Sequence, residues 1–167
     1  QIENIQTALS IVNKLIDQGF EISKENISDG LMNIVNNTQL LGRWQKIEEH
    51  PLTICDTGHN IDGIKEVVNQ IRQCNFEKLH FVFGMVDDKN AEAIFLLLPK
   101  NAIYYFCKPH IPRGRDADSL SEEAFKFGLG GKVYSSVREA YYSAKNNAAT
   151  NDMIFIGGST FVVAEII

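Results

Sequence analysis

The strongest constraint on the fold is an alternation. Short, largely apolar runs recur along residues 51–160, each followed by a polar turn and then by a segment of helical periodicity. Leu52 to Cys55 stops at Asp56, and Ile61, Ile64, Val67, Val68 and Ile71 then fall on one helical face. Leu79 to Phe83 ends at Gly84, before a helix predicted over Ala91 to Leu98 that Pro99 stops. Ala102 to Cys107 precedes the loop Lys108 to Asp116, after which Ser119 and Glu122 read as a capping box opening a helix that runs to Gly128. A short strand near Val133, a helix over Val137 to Ala148, the run Met153 to Ile156 and a last helix complete the series. Strands apolar on both faces and separated by helices predict βαβ units. The fold class is therefore α/β, a three-layer Rossmann-like, mostly parallel sheet with helices on both faces.

Residues 1–40 have a different texture. Ile5, Leu9, Val12, Leu15 and Ile16 share a helical face closed by Gly19, and Ser28 to Val35 gives a second short pattern broken at Asn36-Asn37-Thr38. This stretch reads as a helical lead-in, and residues 41–167 as the domain proper. The chain opens on Gln1, inside a helical pattern and without a signal peptide, so it reads as a piece of something longer.

Composition excludes several function classes. With 44% hydrophobic residues the chain can form a core, and no apolar run approaches the roughly 20 residues of a membrane helix. A net charge of −5 opposes sequence-independent nucleic-acid binding, which needs a dominant basic face. Cys55, Cys74 and Cys107 lack metal-ligand spacing, and their odd number suits a reducing cytoplasm. The expectation is a soluble domain with no membrane and no nucleic-acid partner.

Ligands of such folds bind beyond the carboxyl ends of the strands, which selects the residues to inspect. Asp56-Thr57-Gly58-His59-Asn60 gathers a carboxylate, an imidazole and a carboxamide at one strand mouth. A carboxylate there can accept from both hydroxyls of a ribose, and the imidazole can serve a polar substrate group. The plainer alternative is that Asn60 or Asp62 caps the next helix and His59 is a solvated loop residue. Arg43, between Gly42 and Trp44, either reaches a phosphate in a fork geometry or is a surface arginine beside a half-buried ring. Asp87, Asp88 and Lys89 suit a Mg²⁺ ion or an ordinary helix entry. The basic loop from Lys108 to Arg115, which includes Arg113, is either an anion-docking loop long enough to move or flexible surface. Gly157-Gly158-Ser159-Thr160 offers amides and a hydroxyl to an anion, but is neither GxGxxG nor Walker A. His50 and His80 read as structural, and no zinc motif or Ser-His-Asp arrangement is present.

Taken in order, Leu41-Gly42-Arg43-Trp44-Gln45, Asp56-Thr57-Gly58-His59-Asn60, Phe83 to Lys89, Pro112-Arg113 and Gly157 to Phe161 resemble a known pattern. The chain resembles, over nearly its whole length, the C-terminal domain of the folylpolyglutamate synthase/dihydrofolate synthase family, in the Mur ligase superfamily. In that family ATP phosphorylates a substrate carboxylate, and the amine of an incoming amino acid attacks the acyl phosphate to form an amide. The resemblance implies that Arg43 contacts ATP phosphates and Asp56 the ribose, with Asn60 also on the ATP side. It places His59 at the reaction centre, positioning L-glutamate, and Ser159 on the glutamate carboxylates, with Lys89 and Arg113 in support. The implied partners are ATP, L-glutamate, dihydropteroate or a reduced folate, and an N-terminal ATPase domain. That domain would carry the P-loop and the Mg²⁺ ligands, so no metal ligand is assigned here and the chain alone is expected to be inactive. Leu41 and Ile61 stand where the family often has proline, and neither change removes a functional side chain. A cell-wall Mur ligase C-terminal domain and a non-catalytic Rossmann-like binding module are the competing readings.

Overall fold

The computed structural model describes residues 2–87 and 91–167, in two compact units, Gln1–Leu40 and Leu41–Ile167. The first unit contains α1 (Ile2–Asp17), α2 (Lys24–Met32) and α3 (Ile34–Thr38). None of its described side chains is buried. Ser23 starts α2 in a reciprocal capping box with Asn26, five residues before the start expected at Ser28. The expected break at Asn36–Thr38 is helical, and the chain leaves α3 only at Gln39, in a left-handed conformation (φ 53°).

The second unit is a six-stranded sheet in the order β1-β2-β6-β3-β4-β5. Its elements are β1 (Gln45–Glu48), β2 (Leu52–Cys55), α4 (Ile61–Arg72), β3 (Leu79–Phe83), α5 (Ala91–Phe95), β4 (Ile103–Cys107), α6 (Ala117–Phe125), β5 (Gly131–Tyr134), α7 (Val137–Asn147), β6 (Met153–Gly157) and α8 (Thr160–Ala164). All pairings are parallel except β1 with β2, so the α/β class read from the sequence holds. The antiparallel edge strand β1 departs from the strict strand–helix alternation. It joins β2 without a helix, and its Gln-Lys-Ile-Glu sequence carries no buried residue that would announce it.

Because side chains alternate across a strand, each central strand feeds two cores. Phe81, Phe83, Tyr104, Phe106, Met153 and Phe155 face α4, α5 and α6. Cys55, Val82, Tyr105, Cys107, Ile154 and Ile156 face α7 and α8. Phe81 stacks on Tyr104 at 5.4 Å and meets Phe155 edge-on at 4.9 Å. Fully burying each such ring contributes roughly 1.5–3 kcal/mol, which makes the β3–β4–β6 centre the stable frame of the unit.

Helix ends differ from expectation at α5 and at both ends of α6, which stops at Phe125, three residues short of Gly128, as the Lys126, Phe127 and Gly128 amides donate three residues back. α6 is capped by Asp116, whose carboxylate accepts from the Ser119 amide at 3.0 Å, so Ser119 lies inside the helix and is not its cap. α5 ends at Phe95, because Leu97 and Leu98 donate three residues back, to Ile94 and Phe95, in a tightened last turn. No described helix is long and apolar enough to cross a membrane.

Candidate functional site

The strand order creates a switch point around β6. The chain leaves β2 and β3 towards the α4–α6 face, whereas it leaves β6, which lies between them, towards the α7–α8 face. Neighbouring strands whose following helices diverge to opposite faces open a crevice at their carboxyl ends, where ligands of open α/β sheets bind. The residues at this crevice are Asp56 to Asn60 after β2 and Gly157 to Thr160 after β6.

The two loops abut. The Asp56 amide donates to Ile156 O at 3.1 Å, and a Cβ on Gly157 would stand 3.0 Å from Asp56 O. Gly158 has φ +94°, and a Cβ there would come within 2.5 Å of the Phe83 ring and 2.7 Å of Gly84 O, so only glycine fits.

Asp56 is buried and holds two turns at once. Its Oδ1 accepts from the Gly58 amide and its Oδ2 from the Trp44 amide, both at 2.7 Å. The Gly58 bond shapes the loop that carries His59. Since Thr57 O can only accept, the 2.9 Å contact with His59 Nδ1 places a proton on Nδ1 and leaves Nε2 for a ligand. Asn60 is the N-cap of α4, its Oδ1 accepting from the Gly63 amide at 2.8 Å. The helix-capping alternative is therefore realised at Asn60, which leaves its Nδ2 as the group that could meet a ligand.

Arg43 is exposed in the turn before β1. Gly42 (φ 71°) and Trp44 (φ 44°) flank it, both left-handed, and for a bulky residue such as Trp44 that conformation is a genuine outlier. Holding Trp44 there costs on the order of 1–3 kcal/mol, offset by the Asp56 bond and by packing of its ring 6.0 Å from Phe155. Gly42 is buried near Thr57 and Val163, so this turn sits against the β2 loop and α8.

Ser159, only 2% exposed, caps α8 by accepting from the Phe161 amide at 3.2 Å, and its own O–H remains to donate. Arg113 lies with its guanidinium 5.1 Å from the centre of the Phe161 ring, which brings the loop after β4 towards Ser159. That loop is stitched down rather than loose. Asp87 N donates to Arg113 O at 3.1 Å, Arg115 N to Met85 O at 2.9 Å, and His110 N to Glu165 Oε1 at 2.6 Å. Lys89 and Asp88 lie outside the described residues. The thiols near the crevice are not nucleophiles at neutral pH: burial and the neighbouring Asp56 push Cys55 up to about 11, and burial, then Glu165, raises Cys107. Among the described residues, no three His, Cys, Asp or Glu side chains gather as a metal site.

Sequence reasoning missed Trp44 and Gln45 as parts of this site. The signal was the Gly-Arg-Trp-Gln run itself, but its conformation depends on Asp56, which no local pattern reveals.

The profile of the Mur ligase, glutamate ligase domain matches residues 42–160. The chain belongs to that family. Among its relatives, the dihydrofolate synthase/folylpolyglutamate synthase of Escherichia coli K12 is 29% identical over 98% of this chain and 36% of its own length. A probable bifunctional folylpolyglutamate synthase/dihydropteroate synthase of Haloferax volcanii is 28% identical over 99% of this chain and 19% of its own. The solved E. coli FolC in complex with DHPP and ADP superposes with a TM-score of 0.83 at 27% identity, covering 98% of this chain and 37% of that one. A bifunctional folylpolyglutamate synthase/dihydrofolate synthase with Mn, AMPPNP and L-glutamate bound gives 0.81 at 29% identity, covering 96% and 37%. These matches bear out the resemblance to the C-terminal domain of that enzyme family, and the chain spans well under half the length of these relatives.

Proposed function

We propose that this chain is the C-terminal domain of an ATP-dependent ligase that joins L-glutamate to dihydropteroate, to a reduced folate, or to both. One observation carries the reading. A chain of the glutamate ligase domain family places Asp56, His59 and Ser159 around its switch-point crevice, and a solved relative of the same fold holds AMPPNP, Mn and L-glutamate. In the reaction, an acceptor carboxylate oxygen attacks the γ-phosphorus of ATP and ADP leaves. The glutamate amine then attacks the acyl carbon, phosphate departs, and the amine loses a proton.

Each side chain has a role in this scheme. Arg43, presented from its turn, meets the triphosphate as a bidentate cation. Asp56 accepts the ribose hydroxyls along the lone pairs its two amide bonds leave free, and Asn60 Nδ2 donates on the nucleotide side. His59 Nε2 faces the incoming glutamate and orients its amine, while the Ser159 hydroxyl donates to a glutamate carboxylate. Arg113 and Lys89 add positive charge. The reaction also draws on a divalent cation, taken as Mg²⁺, which neutralises phosphate charge. In this reading the ligands of that cation and the P-loop are supplied by an N-terminal ATPase domain, as the likeness to the longer relatives suggests. Residues 1–40 then form the lead-in from that domain, in keeping with a unit that buries none of its described side chains. The chain alone is inactive, and its three free cysteines suit the cytoplasm.

The test is ATP turnover by the full-length protein with L-glutamate and, in separate reactions, dihydropteroate, tetrahydrofolate or a UDP-muramoyl acceptor. Turnover with a pterin acceptor is expected. Turnover with the muramoyl acceptor alone, or with none, overturns the reading.

A further inference from the structure

The turn that presents Arg43 is held by more than the sequence motif requires. Arg43 lies between two left-handed residues, Gly42 at φ 71° and Trp44 at φ 44°, so the chain reverses sharply with the arginine at its apex. Glycine takes this conformation readily, but tryptophan does not and must be held there. Three hydrogen bonds close the turn. The Trp44 amide donates to Asp56 Oδ2 at 2.7 Å, the Thr57 amide donates to Gly42 O at 2.8 Å, and the Gly42 amide donates to Gln45 Oε1 at 2.7 Å. Gln45 has little freedom to drift, because its backbone is paired with Cys55 at the start of β1. Its carboxamide therefore ties the entry of the turn to a fixed point of the sheet.

We propose that Gln45 is a positioning residue for the ligase reaction: through the Gly42 amide it fixes the turn from which Arg43 meets the nucleotide phosphates. The proposal rests on the role given to Arg43 above. Gln45 is informative because it is the one side-chain clamp of this turn, among the described residues, to which no ligand contact is assigned. Asp56 also holds the turn, but it faces the ribose, so its loss would mix two effects. Without the Gln45 acceptor, the Gly42 amide loses its side-chain partner, the left-handed pair relaxes, and Arg43 swings away from its place. An arginine that grips the triphosphate equally before and during phosphoryl transfer affects nucleotide binding more than turnover.

The experiment is steady-state kinetics of the full-length protein with ATP varied, for Gln45→Met, Gln45→Glu, Arg43→Ala and the double variant Gln45→Met/Arg43→Ala. Thermal melts of each accompany the kinetics. Gln45→Met, similar in length but without the acceptor, is expected to raise KM for ATP roughly 5- to 20-fold and to leave kcat within about twofold. Gln45→Glu, which keeps the acceptor oxygen, is expected to recover most of that loss. In the Arg43→Ala background Gln45→Met is expected to add nothing, because the group it positions is gone. A normal KM for ATP in Gln45→Met, beside a raised one in Arg43→Ala, overturns the proposal and leaves the role of Arg43 standing. So does a double variant in which the two effects multiply, or a Gln45→Met that lowers only the melting temperature. An Arg43→Ala protein with unchanged KM for ATP removes the role of Arg43, and the proposal falls with it.

Discussion

At the end of the sheet opposite the crevice, Asp152 joins the starts of β3 and β6, and its removal should be the most damaging polar change in the domain. Its Oδ1 accepts from the Lys78 amide at 3.0 Å, and its Oδ2 accepts from the Ala149 amide at 2.8 Å and from His80 Nε2 at 3.2 Å. His80 is 1% exposed, and its Nδ1 is 2.9 Å from Tyr105 Oη. Asp152→Ala strands the buried His80 N–H, at about 1–3 kcal/mol, and removes two bonds to half-buried amides, at about 0.5–1.5 kcal/mol each where water cannot fully replace them. The expected loss is about 3 kcal/mol, or roughly 6–12 °C in Tm for a domain of this size. Asp152→Asn should lose less, about 1–2 kcal/mol, because the His80 ring can exchange tautomers, accepting from the new amide at Nε2 and donating to Tyr105 at Nδ1. Urea unfolding followed by the fluorescence of Trp44, the chain's single tryptophan, reads the change, since its ring packs on Phe155 of the core. Burial pushes the Asp152 carboxyl up, but the Ala149 amide, the His80 ring and the Lys78 amide outweigh it and hold the group below its ordinary range. The linked stability is therefore fully present above the unfolded value of about 3.9 and disappears as pH falls below it, so the wild-type advantage over Asp152→Asn should shrink at acid pH. An Asp152→Ala protein within about 0.5 kcal/mol of wild type at pH 7 would refute this reasoning, since no buried orphan could then have been created.

Two further outcomes follow from the crevice. Asn60→Ala should lower stability by about 1 kcal/mol in urea unfolding while Asn60→Asp restores it, because a carboxylate caps α4 as well as a carboxamide does. Gly158→Ala should destabilise by about 2–4 kcal/mol in the same assay, because a Cβ there meets the Phe83 ring at 2.5 Å in a left-handed backbone.

What could be read from the chain beforehand was whatever local pattern controls. Strands buried on both faces announce themselves by unbroken hydrophobicity, as at Leu79–Phe83 and Met153–Gly157. The loop beginning at Asp56 stood out because polar groups crowd a strand end. β1 was invisible because Gln45–Glu48 is a half-buried edge whose strand character comes only from pairing with β2. The cap of α6 is ambiguous in the sequence because Asp116, Ser119 and Glu122 all suit a helix start, and the structure realises the earliest, through the Asp116 bond to the Ser119 amide. Neither the Trp44–Asp56 clamp nor the His80–Asp152 contact has any local signature, since each joins residues that only strand pairing brings together, across β1–β2 in the first case and across 72 positions in the second.

The placement of β6 also governs how the domain can come into being. This strand follows all the others in the chain, yet it fills the gap between β2 and β3, pairing Leu52 and Leu79 alike with Met153. During synthesis the earlier strands therefore emerge with the middle of their sheet missing, and β2 and β3 expose unpaired edges to each other. The domain cannot close progressively from its start, because its keystone arrives last. Loop-closure entropy between such distant partners slows the step, and the unpaired edges stay open to mispairing until it is complete.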